Sequence, residues 1–230
     1  MNINKEILLV LCLAHFFSLR ISAQSTYQLG SLPSINLNHK LENDWTVNFK
    51  IESRQVMQRG SFDGKSEKSF DYVLTDYSMI AAKKLGLNSR LSGGYLIRFR
   101  EKEIIHRLIQ QYTITQRLTS LRLAHRVVTD QTFFENEDTE YRLRYRLATE
   151  LPLNGQSADI GEFYLKISNE YLNSFQSSEY DLEVRLVPLL GYTATEKQKV
   201  ELGIDYRVNS FLSNNARNSF WICLNWFVDI

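Results

Sequence analysis

The sequence is poor in the residues that staple, break or bend a chain. It has 2 cysteines, 3 prolines and 10 glycines in 230 residues. Cys12 lies in the leading segment and only Cys223 lies beyond it, so an exported chain has no intramolecular disulfide to rely on. No stretch reaches 18 apolar residues, which excludes a transmembrane helix. Charge of one sign is also missing, with 27 basic and 26 acidic residues. Removing Lys5 and Arg20 from the first and Glu6 from the second leaves 25 of each. Near-neutrality gives no electrostatic reason to expect nucleic acid as a partner.

The leading segment reads as a secretory signal. Lys5 supplies a weak basic start, Ile7 to Leu19 an apolar stretch, and Ile21-Ser22-Ala23 a small residue before Gln24. The apolar stretch is too short to span a bilayer, which takes roughly 20 residues. Cleavage is expected after Ala23, so residues 1–23 are the signal peptide and residues 24–230 one mature domain. Leu9-Val10-Leu11-Cys12 is rejected as a lipoprotein signal, because bulky Leu11 precedes the cysteine.

The mature region alternates apolar and polar residues nearly throughout. Tyr141, Leu143, Tyr145 and Leu147 interleave with Arg142, Arg144 and Arg146. Val200, Leu202, Ile204, Tyr206 and Val208 interleave with Glu201, Gly203, Asp205, Arg207 and Asn209. The last segment runs Phe220, Ile222, Leu224, Trp226, Val228 and Ile230. Period two places each set on one face of a β-strand. Eleven segments read this way: 26–41, 45–58, 69–83, 88–101, 104–117, 120–133, 139–151, 161–173, 179–191, 198–210 and 217–230. They exceed the usual globular strand of about 5–6 residues and suit a membrane-spanning strand of roughly 9–11 plus overhang.

The fold class expected is all-β, an antiparallel transmembrane β-barrel of 10–12 strands. Antiparallel closure needs an even count, and a short extra strand over 24–33, broken at Pro33, makes twelve the preferred number. The phase changes within 70–81, which predicts a bulge near Thr75-Asp76; residues 104–112 have no clean face. Some fifty large apolar side chains would overfill the interior of a small barrel. They are therefore expected outside, against lipid, with the polar face lining the lumen. Trp45, Tyr95, Phe99, Tyr171 and Trp226 are expected in interfacial girdles.

Residues 117–153 carry a recognisable pattern. Arg122-Leu123-Ala124-His125-Arg126, Tyr141-Arg142-Leu143-Arg144-Tyr145-Arg146-Leu147 and Leu151-Pro152-Leu153 resemble the domain-of-unknown-function 2490 family, as do Asn169-Glu170 and Tyr180 to Arg185. The resemblance implies an outer-membrane barrel of the Bacteroidota type. It implies no activity and supplies no catalytic residue.

Charge segregates along the expected lumen face. Arg90, Arg98, Arg100, Arg122, Arg126, Arg142, Arg144 and Arg146 lie on middle segments. Glu162, Glu170, Asp181, Glu183, Glu201 and Asp205 lie on later ones. Facing walls of opposite sign could orient solutes in a porin-like channel. Alternatively, the arginines reach across and close the lumen in a salt-bridged network, using bidentate guanidinium geometry. The network is the reading adopted, with Arg142, Arg144 and Arg146 engaging carboxylates of the later segments.

Catalysis by a rim Ser–His pair, as in outer-membrane barrels resembling lipid-modifying hydrolases, would need a suitable histidine. His39 and His125 fall on the apolar face and His106 in the ambiguous segment, so no enzyme, cofactor or metal site is expected. The partners expected are outer-membrane lipid and, during insertion, the barrel-assembly machinery of a Gram-negative bacterium.

Overall fold

The computed structural model describes residues 26–213 and 216–230; the signal peptide expected over 1–23 lies outside them. Among the described residues the secondary structure is entirely β. The strands are β1 (Thr26–Lys40), β2 (Trp45–Ser61), β3 (Ser66–Lys84), β4 (Ser89–Arg100), β5 (Glu103–Arg117) and β6 (Arg122–Phe133). They continue as β7 (Glu140–Pro152), β8 (Phe163–Gln176), β9 (Glu179–Thr195), β10 (Gln198–Asn209) and β11 (Arg217–Asp229). Each strand pairs with its sequence neighbours, and β1 meets β11, closing the barrel.

Every neighbouring pair is antiparallel except the seam. There β1 and β11 run parallel, from Thr26↔Arg217 to Asn38↔Asp229. An odd count forces this, since alternating directions bring the first and last strands round in the same sense. The expectation of twelve strands is thus corrected to eleven. Residues 26–33 of the segment expected over 24–33 belong to β1, which continues through Pro33, and the other two lie outside the described residues. The ladder to β2 passes from Ser31↔Gln55 to Ser34↔Glu52, skipping Leu32 and Pro33. A residue without an N–H is tolerated at such a gap.

The phase change expected in β3 is present, but earlier than Thr75-Asp76. Arg54 pairs with Leu74 while Gln55 pairs with Tyr72, so Val73 is the extra residue. Val73 and Asp76 both line the lumen, and Tyr72 and Tyr77 are both exposed outside. The ambiguous β5 resolves with Arg107, Ile109, Gln111 and Thr113 inward and Ile104, Leu108 and Tyr112 exposed outward.

The strands are 12 to 19 residues long. Their outward positions expose Phe49, Ile51, Leu143, Ile167, Leu202, Ile204, Ile222 and Leu224 among many others. Aromatic contacts flank this apolar band. Phe163–Tyr192 lie towards one end, with Phe175–Tyr180, Tyr206–Phe220 and Tyr77–Phe99 towards the other. Trp45, Phe99 and Trp226 fall near strand ends, but Tyr95 and Tyr171 sit mid-strand. Tyr95 is there to satisfy an outward histidine, its hydroxyl lying 2.7 Å from His106 Nδ1.

Candidate functional site

Within the described barrel wall, charge concentrates on the inward face. It has two mouths. The near mouth carries the turns after β1, β3, β5, β7 and β9; the far mouth carries Thr26 and the turns after the even-numbered strands. A cavity of about 1060 Å³ is lined from Leu87 and Asn88 at the near mouth to Gln28 and Ser174 in the far half.

From mid-wall towards the far mouth, the lumen wall carries a belt of ion pairs. Asp130 of β6, with 0% exposure, is their densest hub. Arg142 and Arg144 of β7 reach it at 2.5 and 2.8 Å, and Arg107 of β5 lies 3.5 Å away. Arg107 also donates to Thr132 Oγ1 at 2.9 Å. The hub forms because antiparallel register sets Asp130 opposite Arg142, while Arg144 lies two residues along on the same face.

The remaining pairs continue around the wall. Arg98 grips Asp76 through Nε and a terminal nitrogen, both at 2.7 Å. Arg207 holds Asp205 in the same forked way at 3.0 and 2.7 Å. Arg185 bridges Glu170 at 3.1 Å and pairs with Glu183. Glu52 takes Lys50 at 2.5 Å and Arg54 at 2.9 Å. Near the seam this belt gives way to an apolar cluster of Leu32, Val56, Leu189, Trp221 and Cys223, packed by Val73 and Val187. Opposite, Leu96, Ile109 and Val128 make a smaller one. Salt bridges taken out of water are favourable only when fully hydrogen-bonded and well aligned, and the forked arginines meet that condition.

Of the residues expected to form the network, Arg98, Arg122, Arg126, Arg142, Arg144, Arg146, Glu170, Asp181, Glu183, Glu201 and Asp205 line the lumen. Two do not belong there. Arg100 pairs with Glu103 across the β4–β5 turn, exposed. Glu162 precedes β8 and accepts hydrogen bonds from Asn154 and the Asp159 amide.

The pairing pattern also differs from expectation. Arg142 and Arg144 engage Asp130 on the preceding strand, not the later acids, and Arg146 donates to Ser168 Oγ at 2.9 Å. The later carboxylates have bases of their own in Arg185, Arg207 and Lys166, the last 2.7 Å from Glu201. Sequence reading missed Asp130, Asp76 and Glu52 as members. Strict alternation carried their signal, since each sits in phase with inward residues of its own strand.

The histidines among the described residues, His39, His106 and His125, lie outside the lumen. His39 Nδ1 is 3.1 Å from the Ile230 carbonyl, and His125 Nδ1 is 2.9 Å from the Tyr145 hydroxyl. Among the described residues no group of three or more His, Cys, Asp or Glu is placed to hold a metal ion.

A family model described as a protein of unknown function (DUF2490) matches residues 29–218. That span runs from the start of β1 to the start of β11. No curated protein and no solved structure matches the chain.

Proposed function

Taking as premise that the chain belongs to the DUF2490 family, a family without an assigned activity, we propose that it is an outer-membrane β-barrel closed across its middle, serving a structural or interaction role in a Gram-negative envelope. One observation carries the membrane reading. The outward positions of β1, β2 and β4 to β11 hold no Asp, Glu, Lys or Arg, although charged residues crowd the inward positions of the same strands. A charge at the midplane of a barrel's lipid face costs roughly 2–4 kcal/mol, whereas water would impose no such purge. Several outward polar groups are paired locally, as lipid favours. Gln110, Thr129 and Gln131 bond one another, and Asn173 bonds the Leu143 carbonyl. A signal cleaved after Ala23 delivers such a chain to the envelope.

The closed reading rests on the ion-pair belt and the two apolar clusters that occupy the middle of the lumen. The competing reading is a narrow solute pore, favoured by a cavity lined from both mouths. Planar-bilayer recording on refolded protein separates them. A closed barrel gives only rare, small openings; steady conductance at neutral pH makes it a pore. Membrane fractionation tests the location, with mature protein starting at Gln24 expected in the outer membrane and full-length cytosolic protein contradicting it.

A further inference from the structure

Above the ion-pair belt, the near half of the lumen is built differently. On β3 to β7 its inward face carries Lys84, Arg90, Arg117, Arg122, Arg126 and Arg146 against one carboxylate, Glu150. The residues between them are small, including Ala82, Ser92, Ala124 and Ala148, which leaves space over the basic wall. The facing wall is balanced, Lys166 with Glu201 and Lys50 with Glu52.

Register sets like charges directly opposite one another: Lys84↔Arg90, Arg117↔Arg122 and Arg126↔Arg146. Such pairs are destabilising in a sheet. The rim pairs are exposed and screened by solvent, but Arg126 and Arg146 lie at mid-wall, on the floor of the vestibule. Arg122 has Glu150 at 3.8 Å. Among the described residues Lys84, Arg90, Arg117 and Arg126 have no ion pair, and Arg146 donates to Ser168 while its cross-strand neighbour Glu170 is bridged by Arg185 instead. This contrasts with the belt below, where each arginine has its carboxylate. A barrel stabilised for closure alone would pair these cations too.

We propose that this vestibule is a binding site for a compact polyanion bearing phosphate groups. Arg126 and Arg146 hold the anion at the floor, and the rim cations draw it in. Guanidinium groups suit phosphate through bidentate hydrogen bonding, and a cleft lined by one sign of charge raises the local concentration of its counter-ion. The inference rests on the closed-lumen reading, because the belt supplies the floor.

The test is calorimetric titration of inorganic pyrophosphate into the full-length mature barrel in neutral detergent, with thermal unfolding in parallel. One pyrophosphate should bind per chain, weakening as salt rises, and should raise the unfolding temperature. Arg126→Gln with Arg146→Gln should weaken binding at least tenfold and abolish the thermal shift, while the ligand-free barrel, relieved of a like-charge pair, is at least as stable as wild type. Arg59→Gln, which removes a pair with Asp71 by the far mouth, should change nothing. Absence of saturable binding, or equal binding by the double variant, overturns the proposal. Competition by short-chain phosphatidic acid, but not by a neutral lipid, identifies a lipid headgroup as the source of the phosphate; failure to compete identifies a soluble anion. Steady conductance with intact, Arg126-dependent binding would end the closed-lumen reading and keep the site. A silent barrel without binding would do the reverse.

Discussion

The indole of Trp221 on β11 covers the backbone of Gly30 on β1, its partner across the parallel seam. A Cβ at Gly30 would fall 2.6 Å from Cζ3 of that ring and 2.4 Å from the Gln55 carbonyl oxygen. The seam is thus closed by a large side chain seated where its neighbour has none. Tyr164 repeats the device on β8. Its ring covers Gly191 of β9, and its hydroxyl donates to Glu201 of β10 at 3.0 Å. Gly30→Val should therefore cost about 1–3 kcal/mol or more by overpacking, read from urea unfolding in detergent. Gly86→Ala, whose Cβ meets only Ser89 Oγ at 3.7 Å, should stay within about 0.5 kcal/mol of wild type.

The outward apolar face makes its own prediction. Ile204 and Ile222 are cross-strand partners with 47% and 42% of their surface exposed. Ile222→Arg should destabilise the barrel in bilayers by roughly 2–4 kcal/mol. Asn225→Arg, on the lumen side opposite Glu201, should be tolerated. Equal costs at both sites would show that the outer face does not meet lipid.

Removing the carboxylate hub tests the belt. Asp130→Asn keeps the shape but leaves Arg107 and Arg144 without a counter-charge and Arg142 with only Glu140, at 3.6 Å. A cost of about 3–5 kcal/mol is expected for a broken buried pair. Glu103→Gln, which breaks the exposed Arg100 pair, should cost about 0–1 kcal/mol. Denaturant midpoints of the two variants decide the matter.

Closure has an electrical counterpart. Arg54→Ala with Arg207→Ala removes two cations from the belt and leaves Asp205 without its forked partner. The opened lumen should pass current where the wild type does not, with potassium favoured over chloride. A double variant as silent as the wild type would place the barrier elsewhere, in the apolar cluster around Trp221.

Much of this molecule is legible because period-two alternation survives any uncertainty in partner choice. The eleven segments read from residues such as Tyr141 to Leu147 and Val200 to Val208 coincide with strands to within a few residues, and inward and outward assignments follow parity. Parity also places Arg142, Arg144 and Arg146 in the lumen. What it leaves open is which carboxylate each one meets, because that depends on register. Asp130 and Arg142 face each other only once β6 and β7 are joined in a particular alignment. The count of strands was misread for a similar reason. Evenness is a property of an antiparallel seam, and nothing in the alternation of β1 or β11 specifies how they meet. Val73 was hidden because a bulge announces itself only as a change of phase, which Thr75 and Asp76 register after the fact.

The parallel seam also sets an order of events. Its contacts join residues 191 positions apart, as between Gln28 and Ser219 or Ser34 and Asn225. Every other strand pair joins neighbours in the chain. Ten hairpin-type pairings can therefore accumulate locally, each closing a short loop, while the last must await β11. Closing a long loop carries the larger entropic penalty, and contacts distant in sequence form slowly. A parallel ladder is also slightly weaker per residue than an antiparallel one. The growing sheet thus curls with two free edges, β1 and β11, until Trp221 finds Gly30. That step is the natural candidate for the rate limit of assembly, and Gly30→Val should slow refolding more than it speeds unfolding if the clasp has already formed in the transition state.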